Sequence, residues 1–394
     1  MVFNKSGKIL KGNRFIFNNY SLQKVTQYKY LGFVLAASGT CSHGINNLVD
    51  RAKRAWYSIY SILTKSKNKS INTYITLFEY VVKPILMYGC EVWGANIKEE
   101  KDFTNFGGEV WERFHLRVCK NILGVHKNTS NLATLSEIGR YPMKNDIHKQ
   151  MVKYLLRFND MDDNRLAKQC YKEQETDSTG NHWVGKTKQV LNNLGLSYIY
   201  KVKPGEKKKP SEINRLSYVT RNRENEIFEQ NLVHHRDIQM ERKQGKLSFL
   251  HKLKESFGQE DYLQINNANY RQKIAQLRLS AHKLEIETGR HKDIKREHRI
   301  CMYCRKGEVE SEEHFLFSCP NYMAEREVFM TQLIQHDEKY KGMKIGIDLL
   351  HDIFSSKNKQ IFELFGRFLY KSWGIRNMMG SNLPMEGIGK KLPP

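Results

Sequence analysis

The sequence predicts a mainly α-helical chain with short N-terminal β-strands and a small metal-held knuckle toward its C-terminal end. Three observations lead to that class. Apolar residues recur at spacings of three and four over much of the chain, the stripe of core-facing helices. Aromatic and β-branched residues crowd the first 36 positions, with polar turn formers between them. "CMYCRKGEVESEEHFLFSC", Cys301 to Cys319, spaces three cysteines and a histidine in the manner of metal ligands.

At the N-terminus, "RFIFNNYSL" and "YKYLGFVLA" read as strands, too few for a sheet of their own. They form either a small hairpin docked on helices or the broken end of a larger sheet. From about Ser42 the period turns helical: Ile45, Leu48, Ala52, Trp56, Ile59 and Leu63 make one stripe. Lys53, Arg54 and Tyr57 fall off it, and the loop beyond adds Lys65, Lys67 and Lys69. A second helix starts near Ser70, with Tyr74, Phe78, Val81, Val82 and Ile85 inward. Pro84 is expected to kink or interrupt it, since proline lacks the N–H of the helical ladder. A third runs from about Gly108 to Leu123, with Trp111, Phe114, Val118 and Ile122 on one face. Arg113, Arg117 and Lys120 line another face, and Gly124 suits a C-terminal cap.

"NDIHKQMVKYLLRF" is a further helix. Residues 172–211, polar and holding both glycine and proline, read as a linker or mobile insertion. A charged helical stretch over about Arg221 to Phe257 has few apolar positions and reads as a partly solvated arm. "YRQKIAQLRLSAHKLEIE" leads into the basic "TGRHKDIKREHR" and the cysteine cluster, and the tail "KQIFELFGRFLYKSWGIRN" is amphipathic and helical.

At 394 residues the chain is long enough for two or three domains. Its 65 lysines and arginines against 42 acidic residues give a formal charge of +23, which favours a polyanionic partner. RNA or DNA is the first candidate and an acidic membrane surface the second. The apolar "YITLFEYVVKPILMYGCEVWG" is broken by Glu79, Lys83 and Glu91, so no run reaches about 18 uncharged apolar residues and no membrane insertion is expected. "MVFNKSGKILKGNR" lacks the apolar core of a secretory signal, so an intracellular location, nuclear or cytoplasmic, is expected. In a reducing compartment the cysteines are thiols or metal ligands, and Cys41, Cys90, Cys119 and Cys170 read as structural thiols.

The cluster Cys301, Cys304, His314 and Cys319 has the donor types of a tetrahedral zinc site. His314 and Cys319, five apart, meet either across one and a half helical turns or across a short loop, and His291 or His298 upstream are alternative ligands. Four protein donors leave no open position, so the zinc is expected to be structural. In small peptides such an ion contributes about 10–16 kcal/mol to folding. Glu308, Glu310, Glu312 and Glu313 read as a solvated charge run rather than as acid–base partners. Arg290, His291, Lys292, Lys295, Arg296, His298 and Arg299 crowd the approach to the cluster, with Tyr303, Phe315 and Phe317 near. Such cations neutralise phosphates or are merely solvated, and such aromatics stack on unpaired bases or pack over the metal. Glycine-loop, HExxH and GxSxG motifs are absent, so no catalytic residue and no nucleotide cofactor is assigned. Asp162 and Asp163 read as a surface loop; Asp348, Asp352 and Lys359 imitate a metal nuclease but lack flanking strands.

In order, these pieces resemble the distal part of a non-LTR (LINE-type) retrotransposon reverse transcriptase. "MVFNKSG" looks like the end of the palm, and "YKYLGFVLAASGT" resembles the primer grip, centred on Tyr30, Leu31 and Gly32. "VVKPILMYGCEVWG" and "RVCKNILGV" look like the thumb region and the segment after it. "LRLSAHKLEIETGRHKDIKREHRICMYC" and "EEHFLFSCPNY" match the family's C-terminal basic stretch and cysteine–histidine motif. The resemblance divides the chain into a palm-end and primer-grip remnant (1–40), a helical thumb (41–130) and post-thumb helices (131–171). A linker (172–211), a helical arm (212–290), the basic segment with its zinc knuckle (291–335) and C-terminal helices (336–394) complete it.

The resemblance implies template–primer duplex, element RNA or target DNA as partners. Tyr30, Leu31 and Gly32 would sit at the primer, and Lys53, Arg54, Arg113 and Arg117 would contact the backbone. Arg290, Lys292, Lys295, Arg296 and Arg299 would contact nucleic acid beside the zinc unit. The palm with its paired aspartates is missing, so the chain alone is not expected to polymerise, and Met1 looks like an internal methionine of a truncated copy or cut reading frame. Competing expectations are a zinc-stabilised protein-interaction or host-adopted binding module and a C-terminal restriction-like nuclease.

Overall fold

The computed structural model describes residues 1–4, 6–8, 12, 14–66, 70–97, 108–200, 214–223, 225–226, 229–230, 247–254 and 256–381. The fold is mainly helical with two short antiparallel sheets at the N-terminus. Strands β1 (Ile16–Phe17) and β2 (Tyr20–Ser21) pair, as do β3 (Gln27–Tyr30) and β4 (Phe33–Ala36). Each stretch expected as one strand is thus a hairpin. The tight turns explain it: Asn18 and Asn19 take φ of 47° and 66°, and Leu31 and Gly32 take 46° and 89°. Positive φ at both central residues is the two-residue turn that matches strand twist.

Helices follow as α1 (Ser42–Lys65), α2 (Ile71–Leu77), α3 (Lys83–Leu86), α4 (Cys90–Trp93) and α5 (Val110–Leu123). Next come α6 (Asn131–Ile138), α7 (Lys144–Arg157), α8 (Leu166–Thr176), α9 (Trp183–Asn193) and α10 (residues 214–223). The remainder are α11 (Ser248–Leu253), α12 (Ala268–Arg278), α13 (Glu285–Thr288), α14 (Met323–His336), α15 (Ile347–Ser355) and α16 (Lys359–Ser381). None of the described helices is long and apolar enough to cross a membrane.

The chain divides into two compact units. The first comprises Met1–Lys67, Asn72–Val118 and Arg140–Phe228. Here α1 packs on β4 and α3, burying Leu48, Ala52, Trp56 and Leu63 as the stripe predicts. Ahead of Pro84 the chain makes a π-helical turn, Phe78–Val82, in which Lys83 N–H donates to Phe78 O. Pro84 then sits in the first turn of the four-residue α3, so the α-helical ladder is interrupted ahead of the proline as expected, and the wider turn absorbs the lost bond. Phe78, Val82, Leu86 and Cys90 then point inward at steps of four, while Val81, expected inside, is exposed.

A second core in this unit joins Val152, Leu155 and Phe158 of α7 and its end to Tyr171, Val184, Leu191, Ile199 and Leu216. Residues 172–200 are accordingly not a linker. The polar "KEQETDSTGNHW" ends α8, turns, and starts α9, where His182 Nδ1 accepts from Gly185 N–H and caps the helix. Residues 201–211 of that expected linker lie outside the described residues.

The second unit comprises Asn68–Ile71, Cys119–Gly139 and Glu229–Pro394. In it α16 packs along α12 and α14, and α11 meets α15. Gly366 is buried against Tyr270, where an added Cβ would stand 2.5 Å from the Tyr270 Cβ. The expected solvated arm is corrected from Leu247 onward. Phe249, Leu250 and Leu253 are buried in the second unit, where α11 meets α15. Residues 231–246 of the arm lie outside the described residues.

Candidate metal centre

Local backbone chemistry brings the four expected ligands together. Ile300 and Val309 form an antiparallel bridge; Cys301 N–H donates to Glu308 O at 2.8 Å and Glu310 N–H to Arg299 O at 2.9 Å. The segment between the bridged residues turns back where Arg305 and Gly307 take positive φ, 56° and 68°. His314 opens a second π-helical turn, His314–Ser318, and Cys319 N–H donates to His314 O at 2.8 Å. That bond spans five residues, so His314 and Cys319 are joined by the helical route, as one wide turn rather than one and a half ordinary ones.

The sulfurs of Cys301, Cys304 and Cys319 and a ring nitrogen of His314 all lie within 4.8 Å of one another, with Cys304 Sγ 3.4 Å from His314 Nε2. A tetrahedral ion with bonds of about 2.0–2.3 Å sets its ligands about 3.3–3.8 Å apart. The group is therefore one that could hold a metal ion, and it is the only such group among the described residues. His291 and His298 are exposed and outside it.

Contact with Cys319 and burial push the Cys301 thiol up to about 12, and the same contact draws the Cys319 thiol down. Contact with Cys301, then with Glu308 and Cys304, raises His314 to about 9 against the pull of burial. A bound cation would hold all three thiols deprotonated, because a coordinating thiol is deprotonated outright.

Residues around the ligands fix them. Glu308 Oε2 lies 2.7 Å from His314 Nδ1 and accepts from Ser318 Oγ at 3.2 Å. Arg326 donates to the carbonyls of Leu316 (2.7 Å) and Cys319 (3.0 Å). Phe315 is buried, its ring 4.5 Å from that of Trp373, so it packs rather than stacks on a base. The expected solvated glutamate run is corrected at two positions. Glu310 is buried and takes both arms of Arg376, Nε and Nη2, at 2.8 Å; Glu312 is buried 3.0 Å from His282 Nε2. The supporting roles of Glu308 and Arg326 have no sequence signal, because a carboxylate six residues from a ligand leaves no periodic trace.

The expected nucleic-acid contacts divide. Lys53 and Arg54 lie exposed on α1 beside exposed Tyr57, with Lys53 Nζ 3.0 Å from Asp50. Arg113 and Arg117 are exposed on α5, but Lys120, expected with them, is buried and donates to Lys127 O and Asn131 Oδ1. Tyr30 and Leu31 are exposed at the β3–β4 turn, where Tyr88 Oη donates to Leu31 O and Arg51 to Gly32 O. Lys292 and Lys295 are exposed, Arg296 half-buried, and Arg290 paired with Glu287 at 2.8 Å. Arg299 is a correction. It is buried beneath Gly289 and donates to the carbonyls of Ile294 and Ile286, so no phosphate reaches it.

Neither aspartate set makes a metal site. Asp162 bonds Asn164 N–H and Asp163 pairs with Lys172, both in a surface turn. Asp348 and Asp352 are on α15, and Asp352 pairs with Lys339 at 2.9 Å. No family model, curated protein or solved structure matches the chain.

Proposed function

We propose that this chain binds nucleic acid as part of a LINE-type reverse transcriptase, with a structural zinc ion holding its knuckle; polymerisation is not assigned to it. The observation that carries the reading is the convergence of Cys301, Cys304, His314 and Cys319, drawn from the most specific of the motifs that resemble that family. Three thiolates and an imidazole suit zinc, and four protein donors leave no coordination position for a substrate. The ion would fasten the Cys301–Cys319 loop, and its role would be to fold rather than to react.

Exposed Lys292 and Lys295 with half-buried Arg296 supply charge beside that loop, and Lys53, Arg54, Arg113 and Arg117 supply it on α1 and α5. Cations on helices contact phosphates and read shape more than sequence. The test is fluorescence anisotropy of the zinc-loaded full chain on a labelled RNA–DNA primer–template across a salt series. The logarithm of affinity should fall with the logarithm of salt by about 0.7–0.9 per phosphate contacted. Lys292→Glu with Lys295→Glu and Arg296→Glu should weaken binding at least tenfold and flatten the slope. Affinity indifferent to salt, or a charge-reversed chain that binds as well, would sink the reading.

A further inference from the structure

We infer that the unit built on α7 and α9 carries a pocket for an organic phosphate of nucleotide size. A cavity of about 440 Å³ lies among α7, α9, α10, residues 94–97 and the first turn of α5. That volume falls within the range of small-molecule sites, about 300–1,000 Å³.

The described lining is cationic. Lys144 and His148 stand one helical turn apart on α7, Lys186 comes from α9, and Arg223 from the end of α10. Two carboxylates, Glu109 and Glu112, share the wall. Glu112 is already committed: one oxygen is 2.9 Å from His115 Nδ1 and the other accepts from Met143 N–H at 2.8 Å. Three lysine and arginine charges therefore share the wall with two carboxylates, and of the three Lys186 also donates to Asn96 Oδ1 at 3.4 Å and Arg223 to Asn193 O at 3.3 Å. Burial first, and after it the charges of Lys144 and Arg223, push the His148 pKa down to about 4. An anion with several acceptor oxygens meets such a wall favourably, and phosphate is the commonest biological group of that kind. Trp111, Met151 and Val190 add an apolar side to the same cavity, which suits the body of a phosphate ester better than bare phosphate.

The phosphate can belong to a free nucleotide or to the 5′ end of a strand; the shared chemistry is a nucleoside monophosphate. None of the cations proposed above for duplex contact lines the cavity, so the two proposals fail separately.

Calorimetric titration of the full chain separates these outcomes, using adenosine 5′-monophosphate, adenosine, inorganic phosphate, and a short oligonucleotide with and without a 5′-phosphate. The nucleotide or the 5′-phosphorylated strand should bind at least tenfold more tightly than its phosphate-free counterpart and than inorganic phosphate. Which of the two binds identifies the source. Lys144→Gln with Arg223→Gln should lose that advantage at an unchanged melting temperature; if that pair does not fold, Lys186→Gln alone should weaken binding measurably. Equal affinity with and without the phosphate, no binding by either phosphate carrier, or full affinity in a folded variant overturns the proposal.

Discussion

Arg278 and Glu137 face each other with neither side chain exposed to solvent: Nε lies 2.6 Å from Oε1 and Nη2 lies 3.3 Å from Oε2. Tyr262 Oη donates to the same carboxylate at 2.8 Å, and Glu260 Oε2 lies 2.9 Å from Arg278. Breaking one side of a buried pair leaves a charge in a low-dielectric interior, which typically costs about 3–5 kcal/mol. Arg278→Met should therefore destabilise the chain by about that amount in urea unfolding. Glu137→Leu added to it should restore part of the loss. A single-variant cost below about 1 kcal/mol would mean that the pair is solvated in solution.

The same carboxylate makes stability depend on acid. Burial works to raise the Glu137 pKa, but the charges of Arg278 and Lys254 and the bonds from Arg278 and Tyr262 overcome it and hold it below the ordinary 4.5. A carboxylate depressed in the fold binds its proton more readily when unfolded. Its contribution is complete above the unfolded value and is lost as pH falls through the folded one. Wild-type stability should thus drop on acidification below about pH 4.5, and Glu137→Gln should show a shallower acid limb. Identical limbs would show that Glu137 does not titrate in unfolding.

Metal removal tests the knuckle. The purified chain should hold one zinc per molecule, and chelation should lower its melting temperature. Glu308→Gln, which weakens the grip on His314 Nδ1 without touching a ligand, should reduce zinc affinity about 10- to 100-fold in a competition assay. Cys304→Ser should lose more. Full zinc affinity in Glu308→Gln would reduce that contact to a surface bond, and a metal-free chain of unchanged stability would remove the structural role.

Much of this was legible in the sequence where the signal is local. The α1 stripe Leu48, Ala52, Trp56 and Leu63 is buried because a helix repeats its face every three or four residues, and neighbours in sequence suffice to show it. The four residues that could hold a metal ion were equally plain, since the chemistry restricts which residues can serve and their spacing is short. What local pattern could not reach was the partner. Val81 yields to Val82 because a π-helical turn inserts before Pro84, which periodicity at a fixed pitch does not anticipate.

Charged residues show the limit most clearly. Glu310 looked solvated and Arg299 looked free to meet a phosphate, yet Glu310 meets Arg376, 66 residues on, and Arg299 fills the space that Gly289 leaves beneath it. Gly366, an undistinguished residue in a helical run, is what lets α16 approach Tyr270 on α12. The helical class, the core stripe of α1 and the four residues that could hold a metal ion can be read from the chain without its fold. Only tertiary structure decided which charges are buried, which glycines are contacts and where a cavity gathers cations, because each of these depends on side chains distant in sequence meeting at a few ångströms.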